Sequence, residues 1–290
     1  MSIISFANHI KENLFRRGFP LLPGIILFLF VFIGIFGSFL APHDPNHAKF
    51  EDALKPPFWQ TEGSYKYFLG TDQLGRDILS RLICGTNISL QVGFVVVAFA
   101  GFIGTVVALL SGYLGGWKDS LLMRITDTVM SMPYLMIAIV LAAVLGPSKN
   151  NIILILGVVG WTGYARVLRG EVLRVKEREF VSLAKVGGCS KTRIMVKHIF
   201  PNILNTLVVL GTLQLGIVII SESALSFLGV GVPPPDPAWG LMIAEGRSYI
   251  SNAWWISTWP GLAILLVVLS CNLLGDWLRV RLDPKLRQVY

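Results

Sequence analysis

Six apolar stretches divide the chain, and charged residues are almost confined to the segments between them. Residues 21–40 carry no charge and, as a helix rising ~1.5 Å per residue, are long enough to cross a hydrocarbon core of ~30 Å. Residues 88–113 are also free of charge. The stretch 121–146 holds Arg124 and Asp127 in its first turns and then runs uncharged through Pro133. Residues 152–165 form a shorter run, 203–230 is apolar except for Glu222, and 254–274 is the last. Each run is continuous rather than alternating, which predicts helices and not barrel strands. The expected fold is an all-α polytopic membrane bundle of six transmembrane helices.

The distribution of lysine and arginine orients this drawing. With the N-terminus in the cytoplasm, the inner segments hold 18 of the 25 basic residues and the outer segments 7. Such asymmetry favours both termini inside. It also supports the short fourth run, because without it the nine basic residues from Arg166 to Lys197 would face outward. The predicted organisation is a cytoplasmic segment 1–20, a transmembrane domain 21–276 and a cytoplasmic tail 277–290. Within the domain lie a long outer loop, 41–87, and a cytoplasmic region, 166–202. The first apolar run follows Lys11, Arg16 and Arg17, as a signal peptide would, but it is about 20 residues long and lacks an A-x-A-like cleavage site. It is predicted to remain as the first span.

Composition agrees. Hydrophobic residues make up 53% of the chain and charged residues only 14%, against about 25% charged in soluble domains. The formal charge of +8 does not mark a nucleic-acid face, since its carriers sit in loops between spans. Cys84, Cys189 and Cys271 are far apart and form no CxxC pair, which leaves three unpaired thiols. Ala100, Gly104, Ala108 and Gly112 recur every four residues and predict a stripe for close helix packing. Pro133 and Pro260 are expected to kink their spans.

The most charged region reads YARVLRGEVLRVKEREFVSLAKVGGCSKTRIMVKHIFPN. Leu168, Val172 and Val175 lie at helical spacing, so the fourth span is expected to continue into the cytoplasm. A short helix over about 179–186 is ended by Gly187 and Gly188, where the backbone can take a positive φ. Ser190 is a candidate N-cap for a third helix that stops at Pro201. That helix is expected to offer Ile194, Met195, His198 and Ile199 beside Lys191, Arg193 and Lys197. Pattern alone leaves two readings open: a basic amphipathic segment on anionic lipid headgroups, or a docking knob for a cytosolic partner.

A resemblance bears on the choice. Residues 182–201 are similar to the cytoplasmic EAA loop of ATP-binding-cassette (ABC) importer permeases, written EAA-x3-G-x9-I-x-L-P. Ala184, Gly188 and Pro201 fall on that pattern, whereas Ser182, Leu183, His198 and Phe200 depart from it. LGTDQLGRDILSRLICG at 69–85, SALSFLGVGVPPPDPAWG at 223–240 and PGLAILLVVLSCNLLGDWLRVRLDPKLR at 260–287 resemble the dipeptide/oligopeptide/nickel branch, particularly its second, C-type subunit. The resemblance implies a type I importer permease in a bacterial inner membrane, carrying di- or oligopeptides or a similar small solute. It implies an extracytoplasmic substrate-binding protein, a second permease as heterodimer partner, and two cytosolic ATPases that use ATP and magnesium. This chain itself is expected to hold no cofactor. Its ATPase-coupling loop is carried over to Ser182, Leu183, Ala184, Gly187, Gly188, Ser190, His198 and Pro201.

Other chemistry is weak in the sequence. No G-x-x-x-x-G-K-[ST] phosphate loop is present, and GGCSKT at 187–192 has Ser190 where the second glycine belongs. GVGVPP at 229–234 lacks the third glycine of a dinucleotide site and reads as a turn. His43 and His47 flank Pro45 and read as solvated loop residues rather than a metal pair. No apolar run contains a histidine, so a membrane enzyme has no base to build on, and no catalytic residue is assigned. Glu222 is the one clear carboxylate inside a span, a candidate for the translocation pathway that Ser221, Ser223 and Ser226 could instead satisfy structurally. Arg76, Asp77 and Arg81 suggest a short surface helix with locally paired charges, a candidate for gating or for contact with the binding protein. An ion-coupled transporter or channel is the alternative, but it would need several ionisable groups at mid-membrane.

Overall fold

The computed structural model describes Gly18 and residues 20–282. Residues 1–17, Phe19 and 283–290, which hold most of the two expected terminal segments, lie outside the described residues. Among the described residues the protein is an all-α bundle, with one isolated antiparallel bridge between Thr71 and Asp77. Five helices are long and apolar enough to cross a membrane, and a bent pair makes a sixth candidate.

Helix α1 (Leu21–Leu40) exposes Phe28, Phe39 and most of its large side chains, packs half-buried Leu27, Phe30 and Val31 against the core, and fully buries only Gly34 and Gly37. Both glycines face α2 (Ile78–Leu114): a Cβ on Gly37 would lie 3.0 Å from the Ile83 carbonyl oxygen. The start of α2 corrects the expected span, which was drawn from residue 88. The extra ten residues mix apolar positions with Ser80, Arg81 and Thr86, which are buried, so these polar residues hide from hydropathy nearly three turns of helix that the fold has largely enclosed. Asp77 caps it, its side chain accepting from the Ser80 N–H at 3.1 Å. The small-residue stripe lies against α5 (Lys149–Lys176). A Cβ on Gly104 would come 2.7 Å from the Trp161 carbonyl oxygen, and one on Gly112 would come 2.7 Å from Val172 Cγ1. Glycine is therefore required where these two backbones meet.

The expected third span is broken. α3 (Gly116–Met130) and α4 (Tyr134–Leu145) meet at an angle of 84°. Pro133 supplies no N–H and sits at ψ 124°, so the helical ladder ends at Met130 and a new one begins after the proline. α5 extends well beyond the 152–165 run, because Leu168, Val172 and Val175 keep one buried face while its charges stay outside.

After α6 (Glu179–Val186), helix α7 (Lys191–Phe227) runs without a stop at Pro201, another departure from expectation. The turns over Ile194–Ile199 widen to i→i+5 hydrogen bonding, which leaves room for a ring with no N–H. α8 (Trp239–Gly246) and α9 (Trp255–Leu282) complete the bundle, with Pro260 buried inside α9. α2 has 37 residues and so spans about 55 Å. One end of it meets the 41–77 segment, α8 and the start of α9, here called the cap. The other meets the end of α5, α6 and the start of α7, here called the knob.

Candidate functional site

The knob is built around its own small core. Val172 and Val175 of α5, Val181 of α6, Ile194, Ile199 and Ile203 of α7, and Tyr113 of α2 bury against one another. Arg169 fixes α5 to α3 through a bidentate pair with Asp119, at 2.7 and 2.6 Å. Gly188 takes φ +74°, the Gly187 N–H donates to the Leu183 carbonyl at 2.8 Å, and the Cys189 N–H donates to the Ala184 carbonyl at 3.0 Å. Ser190 Oγ then accepts from the Arg193 N–H at 3.3 Å and starts α7. These are the C-terminal and N-terminal caps predicted from the sequence, at the predicted residues.

The face the knob offers is different from the expected one. Ile194 and Ile199 are inside, and His198 and Met195 are half-buried. The exposed apolar side chains belong mainly to α6: Phe180, Leu183 and Val186 are 40%, 71% and 88% exposed, and Val196 adds one on α7, 55% exposed. The i, i+3, i+6 spacing of the first three sets them on one side of a helix. Exposed Lys185 shares the helix, exposed Lys191, Arg193 and Lys197 follow on α7, and exposed Glu177, Arg178 and Glu179 stand at the start of α6. Ser182 is exposed and Ala184 half-buried on the same short helix, Gly187 and Gly188 form its end, and Pro201 is exposed nearly three turns into α7. Of the residues carried over from the EAA loop, the structure thus gathers Ser182 to Ser190 at the tip and leaves His198 and Pro201 on the stem.

At the cap the expected surface helix is absent. Arg76 lies in the loop, Asp77 is the N-cap and Arg81 is the fourth residue of α2; all three are buried. Their pairing is only partly local. Arg76 Nε donates to Asp72 at 2.6 Å, and both Arg76 and Arg81 donate through Nη2 to Glu245 of α8, at 3.0 and 2.8 Å. Asp77 instead holds Ser80 and the His43 ring, whose Nδ1 is 3.2 Å away, so His43 is not a solvated loop residue. Asp52 gathers Lys55, Lys66 and the Tyr67 hydroxyl, the last at 2.7 Å. Hydrogen bonds from Lys55 first, then Tyr67, hold its carboxyl well below the usual carboxylate range. Asp52, Asp72 and Glu245 escaped the sequence reading. Asp72 stood inside the quoted LGTDQLGRD motif, whereas Glu245 gave no local signal.

Glu222 is fully buried near the end of α7. Ser226 Oγ donates to it at 2.7 Å and also accepts from the Val232 N–H at 3.1 Å, so the carboxylate and serine tie the helix end to the following turn. Ser223 is a long 3.4 Å partner, and Ser221 turns away to the Ile217 carbonyl at 2.8 Å. The expectation that all three serines serve Glu222 is corrected for Ser221. In α7 a serine hydroxyl one turn from a free carbonyl is satisfied within its own helix.

Residues 104–288 match the family described as binding-protein-dependent transport system inner membrane component. The chain is 43% identical over 276 residues to the dipeptide transport system permease protein DppC of Escherichia coli, covering 94% of this chain and 92% of that one. It is 41% identical over 275 residues to the protein of the same name from Haemophilus influenzae, covering 94% and 93%. It is 39% identical over 263 residues to the di/tripeptide transport system permease protein DppC of Pseudomonas aeruginosa, covering 91% and 87%. The chain belongs to the binding-protein-dependent inner membrane components, as a C-type permease of the dipeptide/oligopeptide/nickel branch of ABC importers.

Proposed function

We propose that this subunit forms, together with a second permease, a path for di- or tripeptides, and that α6 docks into a cytosolic ATPase. Both termini then lie in the cytoplasm, the cap faces outward, and an extracytoplasmic binding protein delivers cargo to it. ATP and magnesium are used by the companion ATPases, and this chain contributes transmission rather than hydrolysis. The relatives named for dipeptide and di/tripeptide transport support the cargo class.

The observation that carries the docking reading is the Phe180–Leu183–Val186 face. The core of the knob is built by Val172, Val181, Ile194 and Ile199, and Leu183 and Val186 stand largely outside it. A helix of 8 residues is too short to be stable alone in water and depends on its contacts. An apolar strip followed in the chain by the cations Lys185, Lys191, Arg193 and Lys197 suits a groove with an apolar floor and acidic groups at its edge. The test is Leu183→Asp in the full transporter. The chain should insert and accumulate normally, and recovery of the ATPase with it should fall at least tenfold. Unchanged ATPase recovery together with unchanged dipeptide uptake would falsify the docking reading.

A further inference from the structure

Residues 57–68 of the cap close on themselves. The Phe58 N–H donates to the Phe68 carbonyl at 3.4 Å. Inside that closure the Gln60 N–H donates to Pro57, the Gly63 N–H to Gln60 and the Tyr67 N–H to Ser64, at 2.9, 2.9 and 3.0 Å. Gly63 is pressed into the loop, since a Cβ there would lie 2.2 Å from the Pro57 carbonyl oxygen. Five of these twelve residues are aromatic, against 11% in the whole chain. Phe58 is their hub. Its ring stacks on Phe68 at 4.5 Å and on Tyr65 at 5.3 Å, and it meets Trp59 edge-on at 5.1 Å. The cluster is nonetheless open, with Trp59 46%, Tyr65 84% and Phe68 46% exposed. Rings locked by their neighbours in this way make a fixed patch.

Two observations say what covers the patch. The first is its position. The Trp59 ring packs edge-on against Trp259 of α9 at 5.9 Å. Exposed Leu262, Leu266 and Leu273 follow Trp259 at i+3, i+7 and i+14, which is one side of the helix. Leu262 lies only about 4.5 Å further along the axis. The patch therefore continues a flank of a membrane-crossing helix that hydrocarbon covers. The second observation is its chemistry. Along that flank leucine gives way to tryptophan and tyrosine, rings that join an apolar body to a polar end and gather where acyl chains meet headgroups. The loop's charges are Glu62 and Lys66, one of each sign. It thus lacks the net charge that steers a diffusing protein to its dock.

We propose that the 57–68 loop is a lipid anchor, its exposed rings set among the headgroups and upper acyl chains of the outer leaflet. It rests on the proposed orientation only for which leaflet is touched. The anchor is joined to the charged brace of the cap. Tyr67 donates to Asp52 at 2.7 Å, and Lys66 reaches the same carboxylate at 3.3 Å. Just beyond the loop, the Thr71 carbonyl accepts from the Trp255 indole N–H at 3.0 Å. The bilayer surface thereby fixes the height of the segment that leads into α2.

The test compares collisions of a nitroxide with oxygen, which dissolves in hydrocarbon, and with a water-soluble nickel chelate. The complete transporter is placed in nanodiscs of phosphatidylethanolamine and phosphatidylglycerol. This chain carries Cys84→Ser and Cys189→Ser, and its companions have no exposed cysteine. A label on Tyr65→Cys leaves Trp59 and Phe68 to hold the loop in place. Its oxygen-to-nickel ratio should be about tenfold above that of a label on Glu51→Cys, an exposed position elsewhere on the cap. Equal ratios overturn the anchor. So does a Tyr65→Cys label that loses its nickel collisions only when the extracytoplasmic binding protein is added, because the patch then docks a protein. An impermeant reagent that reaches Glu51→Cys only from the cytoplasmic side overturns the orientation instead, and puts the anchor in the other leaflet. Should Tyr65→Cys fail to assemble, the wild-type chain and Trp59→Phe carry the test in nanodiscs whose acyl chains are brominated near the carbonyl. Tryptophan emission should be quenched more in the wild type than in the variant, and equal quenching counts against the anchor.

Discussion

The two ends of α2 solve opposite problems. The cap buries its charges: Asp72, Arg76 and Arg81 are almost fully enclosed, and Glu245 reaches in from α8 to complete them. The knob keeps its charges in the open and buries aliphatic side chains beneath them. A buried network is a poor surface for a partner but a firm brace, since each charge depends on its neighbours to offset lost solvation. The knob leaves an apolar strip uncovered, which is a state a second chain can improve. The cap is held by enclosed ion pairs, although Asp77 Oδ1 and two nitrogens of Arg81 keep no hydrogen-bond partner among the described residues, and the knob carries an open apolar face.

This contrast predicts a graded response to substitution. Glu245→Gln should have the largest effect, about 3–5 kcal/mol, because it leaves two buried guanidinium groups with a neutral partner. Thermal unfolding of the solubilised complex should show it as a clear drop in Tm. The double change Arg81→Met with Glu245→Leu should cost less than the single one; equal or additive losses would show that the two residues do not act as a pair. Gly188→Leu at the knob comes next. Nothing lies within 4 Å of a Cβ there, so the cost is the positive φ alone, about 1–2 kcal/mol. Insertion should survive, the turn should shift, and ATPase recovery should fall severalfold. Ser190→Ala should be mildest, about 1 kcal/mol of fraying at the start of α7. Hydrogen exchange at 191–193 should rise while uptake falls less than twofold. If Ser190→Ala proved more harmful than Glu245→Gln, the comparison of a braced end with an adaptable one would be wrong.

The knob was the more legible of the two ends. Its turn at Gly187 and Gly188, its cap at Ser190 and the extent of α6 all follow from signals within a few residues of each other. What the sequence reading missed there was which face is exposed. Ile194 and Ile199 are apolar in a basic helix and look available, yet α5 folds back over them. The cap misled for a related reason. Arg76, Asp77 and Arg81 have helical spacing, but spacing says nothing about Glu245, which lies 164 residues beyond Arg81. The proline at 201 was read as a stop because the widened turn that accommodates it has no sequence signature.

Sequence alone determined that the chain is a helical membrane bundle, roughly where its spans lie, and where short helices begin and end. Those properties depend on hydrophobic runs, on caps and on glycine, all of which act over a turn or two of backbone. Tertiary structure alone decided which charges are paired and which apolar faces remain open. Such features arise where elements distant in the chain are brought to the same place. A side chain's partners are set by the packing of whole helices, and no local pattern records them.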